Sequence, residues 1–223
     1  MFTTGTFEFL DQLAANNNKA WFEQNKARYD ALVREPALDF IEAIAPLLEK
    51  FAPQFNAIPR KVGGSLMRVY RDTRFSADKT PFKTNIGMHF RHALGKDVHA
   101  PGFYVHIATD ECFLGAGCWR PEPEVLAKIR NAIAQQPDKW FAARDSLSAA
   151  GWQPWGECLS RPPRGYAADH PAIEDLKRKH FLGLAMLTGA EVMDQDFAGL
   201  AAGRLAGAAD FMAYLCRALE VAY

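Results

Sequence analysis

Apolar residues recur at three- and four-residue intervals through the first third of the chain, which is the spacing of one face of an α-helix. Thr6 can cap a first helix, and an asparagine run at residues 16–18 interrupts the pattern. A second helix is expected from about Lys19. Pro36 marks either the end of this helix or the first turn of a third one.

The middle of the chain changes to the two-residue alternation of β-strands. The clearest strand covers residues 102–109, with Tyr104 and His106 on one face and apolar side chains on the other. A two-residue turn separates this strand from residues 112–118, which we expect to pair with it as a hairpin. This part of the chain is therefore predicted to form an antiparallel sheet.

Further candidate strands lie on both sides of the hairpin. Residues 65–70 and 86–91 precede it, and residues 72–85 between them have no apolar periodicity and are predicted to form a loop. Residues 181–188 form a later candidate strand between helical segments. The last helical pattern contains glycines, which disfavour helix, and we expect it to break near Gly207.

This order of elements indicates an α+β fold, with a central, mainly antiparallel sheet flanked by N-terminal, middle and C-terminal helices. No internal repeat or interdomain linker interrupts the chain, so residues 1–223 are expected to form a single α+β domain. Hydrophobic residues make up 49% and charged residues 23% of the chain, which is typical of a soluble protein.

The N-terminus lacks the charged and apolar regions of a secretion signal. The longest apolar stretch near the C-terminus, residues 181–187, is too short to span a bilayer. These two features predict a cytoplasmic protein with no membrane partner. The four cysteines include no CxxC pair and are expected to be buried, reduced thiols, with Cys112 and Cys118 facing the same way.

Charge is balanced over the whole chain but not locally. The chain has 26 basic and 26 acidic residues, which argues against a general nucleic-acid coat protein. Between Arg60 and Lys83, however, seven basic residues face two acidic ones. Such a concentration disfavours the folded state unless an anion or the two acids offset it. The ligand-binding residues predicted in this segment are Arg68, Arg71, Arg74, Lys79 and Lys83.

Two interpretations of this basic segment remain open. In the first, its arginines and lysines bind a phosphate or carboxylate, because guanidinium groups hold such anions bidentately. In the second, Asp72 and Asp78 pair with the basic side chains and brace the loop. Two acids cannot neutralise all the basic groups, which keeps the first interpretation open. No phosphate-binding loop motif specifies the anion.

The candidates for catalysis are His106, Asp72 and Asp78, and Tyr104 and Trp119 are added as ligand contacts. We call the part of the segment that contains Arg71, Arg74, Lys79 and Lys83 the basic loop. A strand histidine near the basic loop can act as a general acid or base, but it can equally be a hydrogen-bonded histidine of the sheet. Trp119 can likewise be a packing anchor. The histidines at 89, 92 and 99 lack the spacing of a zinc site, so no metal is predicted. Nothing in the pattern specifies a cofactor, a reaction or an oligomeric state.

Several motifs along the chain resemble those of one known family. They occupy residues 17–29, 71–75, 78–84, 102–107, 117–121, 129–130, 161–166, 170–171 and 179–181. The resemblance is to the bacterial family filed as domain of unknown function 2461, and it covers nearly the whole chain. It implies a single α+β domain and carries no activity, substrate or cofactor. Similar proteins tend to have a proline near residues 208–211, where this chain has none.

The leading hypothesis is a pocket for a small anionic ligand, in an enzyme or a binding protein, between the basic loop and the sheet face that carries Tyr104 and His106. A second hypothesis is a nucleic-acid-binding module, and a third is a structural or partner-docking protein in which the loop only braces the fold. The second would add a later basic cluster to the segment described above: Arg161, Arg164, Lys177, Arg178 and Lys179.

Overall fold

A computed structural model describes residues 1–94 and 101–223 of the protein. The helices are α1 (Thr4–Ala15), α2 (Lys19–Gln24), α3 (Lys26–Tyr29), α4 (Glu35–Leu48), α5 (Pro123–Gln135), α6 (Pro137–Ala149), α7 (Ile173–Leu176), α8 (Gly189–Val192), α9 (Phe197–Ala206) and α10 (Ala209–Ala218). A π-helical turn, Asp30–Arg34, joins α3 to α4. The strands are β1 (Phe55–Asn56), β2 (Ile86–His92), β3 (Gly102–Ile107), β4 (Cys112–Cys118), β5 (Gln153–Trp155) and β6 (Phe181–Leu187).

The N-terminal helices begin where short polar side chains satisfy backbone N–H groups. Thr3 is the N-cap of α1, so the prediction that Thr6 caps this helix is wrong. Thr6 lies inside the first turn, accepts a hydrogen bond from the Thr3 N–H (3.1 Å) and donates one to the Leu32 carbonyl (2.8 Å). Asn18 caps α2 as its side chain accepts from the Trp21 N–H (3.0 Å). Pro36 lies in the first turn of α4, one of the two predicted alternatives.

The strands form one six-stranded antiparallel sheet in the order β1-β2-β3-β4-β6-β5. The α+β class, the antiparallel sheet and its flanking helices are therefore confirmed. The four longest strands, β2, β3, β4 and β6, coincide closely with the segments whose alternation predicted them. The remaining strands, β1 and β5, have two and three residues and lie at the sheet edges. They are too short for alternation to reveal them.

The prediction of a strand at residues 65–70 is wrong. This segment makes only isolated bridges, one between Leu66 and Met88 and one between Tyr70 and Phe82. Its backbone hydrogen bonds are divided between two partners, since Met67 bonds with β2 whereas Val69 accepts from the chain that returns out of the basic loop. A continuous ladder with β2 is therefore impossible, and the segment becomes the base of that loop.

One face of the sheet packs against helices. Phe103, Val105 and Ile107 of β3 all lie on this face and are fully buried, as their alternation predicted. Helix α4 contacts β2, and α9 and α10 contact β4, so side chains from both layers form a single apolar core. The predicted break of the last helix is confirmed, because α9 ends at Ala206 and α10 starts at Ala209. We call this side of the sheet the core face.

All four cysteines are free, and Cys112, Cys118 and Cys216 are buried. The prediction of burial is wrong for Cys158, which is exposed in the connection between β5 and α7. Both Cys112 and Cys118 lie in β4 at positions six residues apart and point to the core, as expected for one continuous strand. Within the described residues, no helix is long and apolar enough to cross a membrane.

Candidate functional site

The second face of the sheet, which we call the open face, carries a cavity of about 380 Å³. This volume lies within the range of small-molecule pockets. Five strands, β2 to β6, contribute to the cavity, which also includes residues before β2, before β4 and after β4. Its lining consists of Met67, Lys83, Asn85, His89, Gly102, Tyr104, His106, Glu111, Phe113, Gly115, Gly117, Trp119, Trp155, Leu182 and Leu184.

Lys83 is positioned by the base of the basic loop and not by a regular strand. Its N–H donates to the Val69 carbonyl (2.7 Å). The preceding residue, Phe82, is held by the Asn17 side chain, which accepts from the Phe82 N–H (3.0 Å) and donates to its carbonyl (2.9 Å). The rings of Phe82 and Phe22 stack with centroids 4.1 Å apart. The N-terminal and central sequence motifs thus meet, and together they hold Lys83 beside β2.

The Lys83 ammonium has neither an ion-pair nor a hydrogen-bond partner within residues 1–94 and 101–223. Burial of its side chain, and the nearby positive charge of Arg68, lower its pKa below the ordinary value for lysine. A half-buried cation without a counter-ion is unusual, because a charge removed from water is normally paired. The cavity therefore contains a positive group that the described part of the protein does not neutralise.

Three neutral polar side chains of the same lining lie close to one another. The Tyr104 hydroxyl lies 3.4 Å and the Asn85 amide nitrogen 3.5 Å from Nδ1 of His106. Burial lowers the pKa of His106, while the negative charges of Glu111 and Asp110 oppose this effect. Burial raises the pKa of Tyr104 to about 12, so its phenol stays protonated at neutral pH. With both neighbours directed at Nδ1, the imidazole can accept a hydrogen bond there and keep its proton on Nε2.

A second histidine of the open face is fixed by an arginine. The Arg91 Nε donates to Nδ1 of His89 (3.2 Å). Burial, followed by the positive charge of Arg91, lowers the pKa of His89 to about 4. The ring extends over Gly102 of the neighbouring strand, where a β-carbon would collide with it. His89 is therefore a neutral wall of the cavity at physiological pH.

The opposite end of the cavity is apolar. Leu182 and Leu184 of β6 line it. Phe113 of β4 lies beside the polar group instead, because its ring stacks on His106 with centroids 4.6 Å apart. Trp119 follows β4, and Trp155 of β5 pairs with Leu182 across the sheet edge. Although both indoles are large and apolar, they remain 42% and 48% exposed. They offer apolar surface that a bound molecule could cover.

The tip of the basic loop makes its own ion pairs. Arg71 pairs with Asp78, and Arg74 forms a bidentate pair with Asp72 in which the shortest distance is 2.6 Å. Both pairs hold the pKa of the carboxyl group at about 2. Lys79 donates to the Thr73 carbonyl (2.9 Å). These groups are consumed within the loop, as the bracing interpretation requires for this part of the segment.

The residues predicted from the sequence therefore separate into two groups. The cavity lining brings together Lys83, Tyr104, His106 and Trp119. The predicted residues that lie outside this lining are Arg68, Arg71, Asp72, Arg74, Asp78 and Lys79.

Other lining residues were missed by the sequence analysis, chiefly Asn85, His89, Trp155, Leu182 and Leu184. Asn85, Gly87 and His89 alternate with the buried residues of β2, so strand parity alone would have placed Asn85 and His89 on the face of Tyr104. The contribution of Trp155 had no such signal, because β5 has only three residues.

Most of the later basic cluster is also paired with acids. Lys177 pairs with Glu174 (2.7 Å), Arg178 with Asp175 (3.3 Å), and Lys179 with Glu157 (2.7 Å). These pairs reduce the positive charge that the cluster presents to a polyanion. Among the described residues, no group of three or more histidine, cysteine or acidic side chains could hold a metal ion. His99 lies outside the described residues.

Comparison with known proteins identifies a family but no characterised relative. Neither a curated protein nor a solved structure matches the chain. The model of one family, described as "Conserved hypothetical protein (DUF2461)", matches residues 5–214. This range includes every motif on which the resemblance was based, as well as the whole lining of the cavity. The chain therefore belongs to the DUF2461 family.

Proposed function

We propose that the protein binds a small ligand with an anionic group in the cavity on the open face, and that Lys83 binds the anion. The observation that carries this proposal is the Lys83 ammonium, which lines an otherwise mostly apolar cavity and has no partner among the described residues. An anion beside Lys83 would supply the missing counter-ion, and its attraction would be strong because the site is partly shielded from water.

Asn85, Tyr104 and His106 complete the proposed anion site. The Asn85 amide and the Tyr104 hydroxyl are hydrogen-bond donors, and both lie close to His106. We assign proton transfer to His106, should the bound ligand be turned over, since a neutral imidazole can accept a proton at neutral pH. Asp72 and Asp78 have a different role in this proposal, because both are engaged by arginines and keep the loop in shape.

The ion pairs support this proposal over the nucleic-acid alternative. Phosphate backbones are bound by clustered, available lysines and arginines. Six of the basic residues that this alternative needs already have carboxylate partners: Lys61, Arg71, Arg74, Lys177, Arg178 and Lys179. The pocket needs only one available cation, which Lys83 provides, and the pocket is therefore favoured.

The test is ligand-induced stabilisation measured by thermal unfolding. The wild-type protein is screened against benzoate, citrate, inorganic phosphate and phenyl phosphate, with benzamide as an uncharged control. A ligand present at 100 times its Kd stabilises the native state by about 2.7 kcal/mol, or roughly 5–10 °C in Tm for a chain of this size. At least one anion should produce such a shift, and benzamide should not.

Lys83→Met is the decisive variant, because methionine keeps an apolar side chain of similar length but removes the charge. It should abolish the anion-induced shift, and without ligand it should be as stable as the wild type or more so, since an unpaired cation is removed. Lys79→Met makes the same change in charge at a residue outside the cavity lining and should keep the shift. An anion-induced shift that survives in Lys83→Met, or that is lost only in Lys79→Met, would contradict the proposal.

A further inference from the structure

The middle of the cavity floor has no side chains. Gly115 and Gly117 are successive open-face residues of β4, ~6.6 Å apart along the strand. A β-carbon on Gly115 would make only ordinary contacts, the nearest being with Cβ of Tyr104 at 3.4 Å. Packing therefore does not require glycine at residue 115, although glycine weakens a strand. A glycine in a strand commonly marks a place where a ligand approaches the backbone closely.

The side chains around this floor are polar and aromatic on one side and aliphatic on the other. In the register of the sheet, Gly115 lies between Tyr104 of β3 and Leu184 of β6. These flanking strands are two strand spacings apart, or ~9.5 Å. Phe113 and Trp119 lie at the two ends of the floor along the chain. A flat floor with aromatic side chains at both ends suits a planar ring, because aromatic groups gain additional stabilisation from stacked and edge-to-face contacts.

The charges of the lining select the type of anion. Among the described residues that line the cavity, Lys83 is the single lysine or arginine, and the single carboxylate, Glu111, is exposed. The other polar side chains of the lining, such as Asn85, Tyr104 and His106, are neutral donors or acceptors. One cation with neutral donors matches the single charge of a carboxylate, whereas a phosphate dianion generally recruits several cations or a helix N-terminus.

We infer that the ligand is an aromatic carboxylate with one or two fused rings, whose ring lies over Gly115 and Gly117 and whose carboxylate reaches Lys83. This inference rests on the proposed function and narrows its ligand class. The size agrees, since a cavity of about 380 Å³ lies at the lower end of the range for small-molecule pockets.

Isothermal titration calorimetry with 2-naphthoate and three matched compounds tests the ligand class. Decahydronaphthalene-2-carboxylate keeps the charge and the approximate size but is not planar, 2-naphthamide is planar but uncharged, and 2-naphthyl phosphate carries the other anion. We expect 2-naphthoate to bind at least tenfold more tightly than each of these. Equal or tighter binding of the saturated acid or of the phosphate would overturn the inference.

Gly115→Val tests the position of the ring. Valine favours strands, so the unfolding midpoint should not fall, while its side chain would occupy the floor and weaken 2-naphthoate binding at least tenfold. Met186→Val is the matched control, because Met186 lies on the same face of the sheet, is 57% exposed and does not line the cavity. It should leave binding unchanged. If the valine variant of residue 115 fails to fold, Gly115→Ala replaces it and should weaken binding in the same direction.

The outcomes separate this inference from the proposed function. If Gly115→Val binds 2-naphthoate as the wild type does while Lys83→Met loses binding, the ring position is wrong and the anion site stands. If no anion binds the wild-type protein, or if Lys83→Met binds every anion normally, the proposed function itself fails and this inference fails with it.

Discussion

The two faces of the sheet differ in the side chains that they carry and in how far these are buried. On the core face, side chains such as Phe103, Val105 and Leu114 are fully buried among apolar neighbours. On the open face, the same strands carry histidines, a tyrosine and glycines. The cavity beside them contains a lysine with no partner in the part of the chain that the structure describes. The first arrangement maximises buried apolar area, whereas the second leaves polar groups and indole rings available.

The difference between the two faces shows which residues are not optimal for stability. Three strand glycines, a desolvated ammonium and two half-exposed tryptophans each cost stability or leave it unrealised, and all of these residues line one cavity. Departures from local optimum that cluster in one place are expected at functional sites. The following predictions test whether the two faces differ in this way.

The largest expected effect is a difference in stability between two phenylalanines of adjacent strands. Phe103→Ala removes a fully buried ring of the core face that packs edge-on against Phe51 and Phe55, and should lower the free energy of unfolding by about 3–5 kcal/mol. Phe113→Ala on the open face should cost about 1–2 kcal/mol, since this ring is only partly buried. Urea unfolding of both variants measures the difference, and equal losses would contradict the distinction between the faces.

A second effect comes from His89 and depends on pH. Its pKa is about 4 in the folded protein and about 6.5 when unfolded, so between these values the unfolded chain binds the additional proton. Stability should therefore fall as the pH decreases through this window, with a contribution from His89 of about 2 kcal/mol between pH 7 and pH 5. Below pH 4 both states are protonated and the contribution is lost.

His89→Gln isolates this contribution, because glutamine does not titrate. Urea unfolding of the wild type and the variant at pH 7 and pH 5 should show a smaller loss of stability in the variant. An NMR titration should also find the His89 imidazole neutral down to about pH 4. If both proteins lose the same stability between pH 7 and pH 5, the His89 imidazole is not shielded from water as its position on the open face requires.

The smallest expected effect concerns the tip of the basic loop. Arg71→Ala combined with Arg74→Ala removes two ion pairs whose carboxylates are exposed, and such pairs contribute little to stability. The urea midpoint should stay close to that of the wild type, and anion-induced stabilisation should be retained because neither arginine lines the cavity.

The same double variant distinguishes the other hypotheses for the loop. If the protein folds but loses anion-induced stabilisation, the two arginines bind the anion and Lys83 is not its main contact. If the protein unfolds, the loop braces the whole fold, as the structural hypothesis requires. The first result would place the ligand site in the loop, and the second would give the loop a structural role.

Strand parity predicted much of the sheet but only part of the site. The alternation along residues 102–107 correctly placed Tyr104 and His106 opposite the core. The concentration of charge pointed to residues 60–83, but it could not separate Lys83 from Arg71 and Arg74. The distinction depends on which basic side chains reach a carboxylate. Asp72 and Asp78 pair with the two arginines. Their distance along the chain does not show this, because other residues equally close in sequence make no such pair.

The sequence alone determined the class of the fold, the long strands and helices, and the family, because periodicity and motifs are local properties of the chain. Only the tertiary structure decided that Trp155 and Leu182 share a cavity with Lys83. These residues lie far apart along the chain and meet through the pairing of β4 with β6 and of β6 with β5. Strand order and burial arise from long-range packing, which no local pattern of residues records.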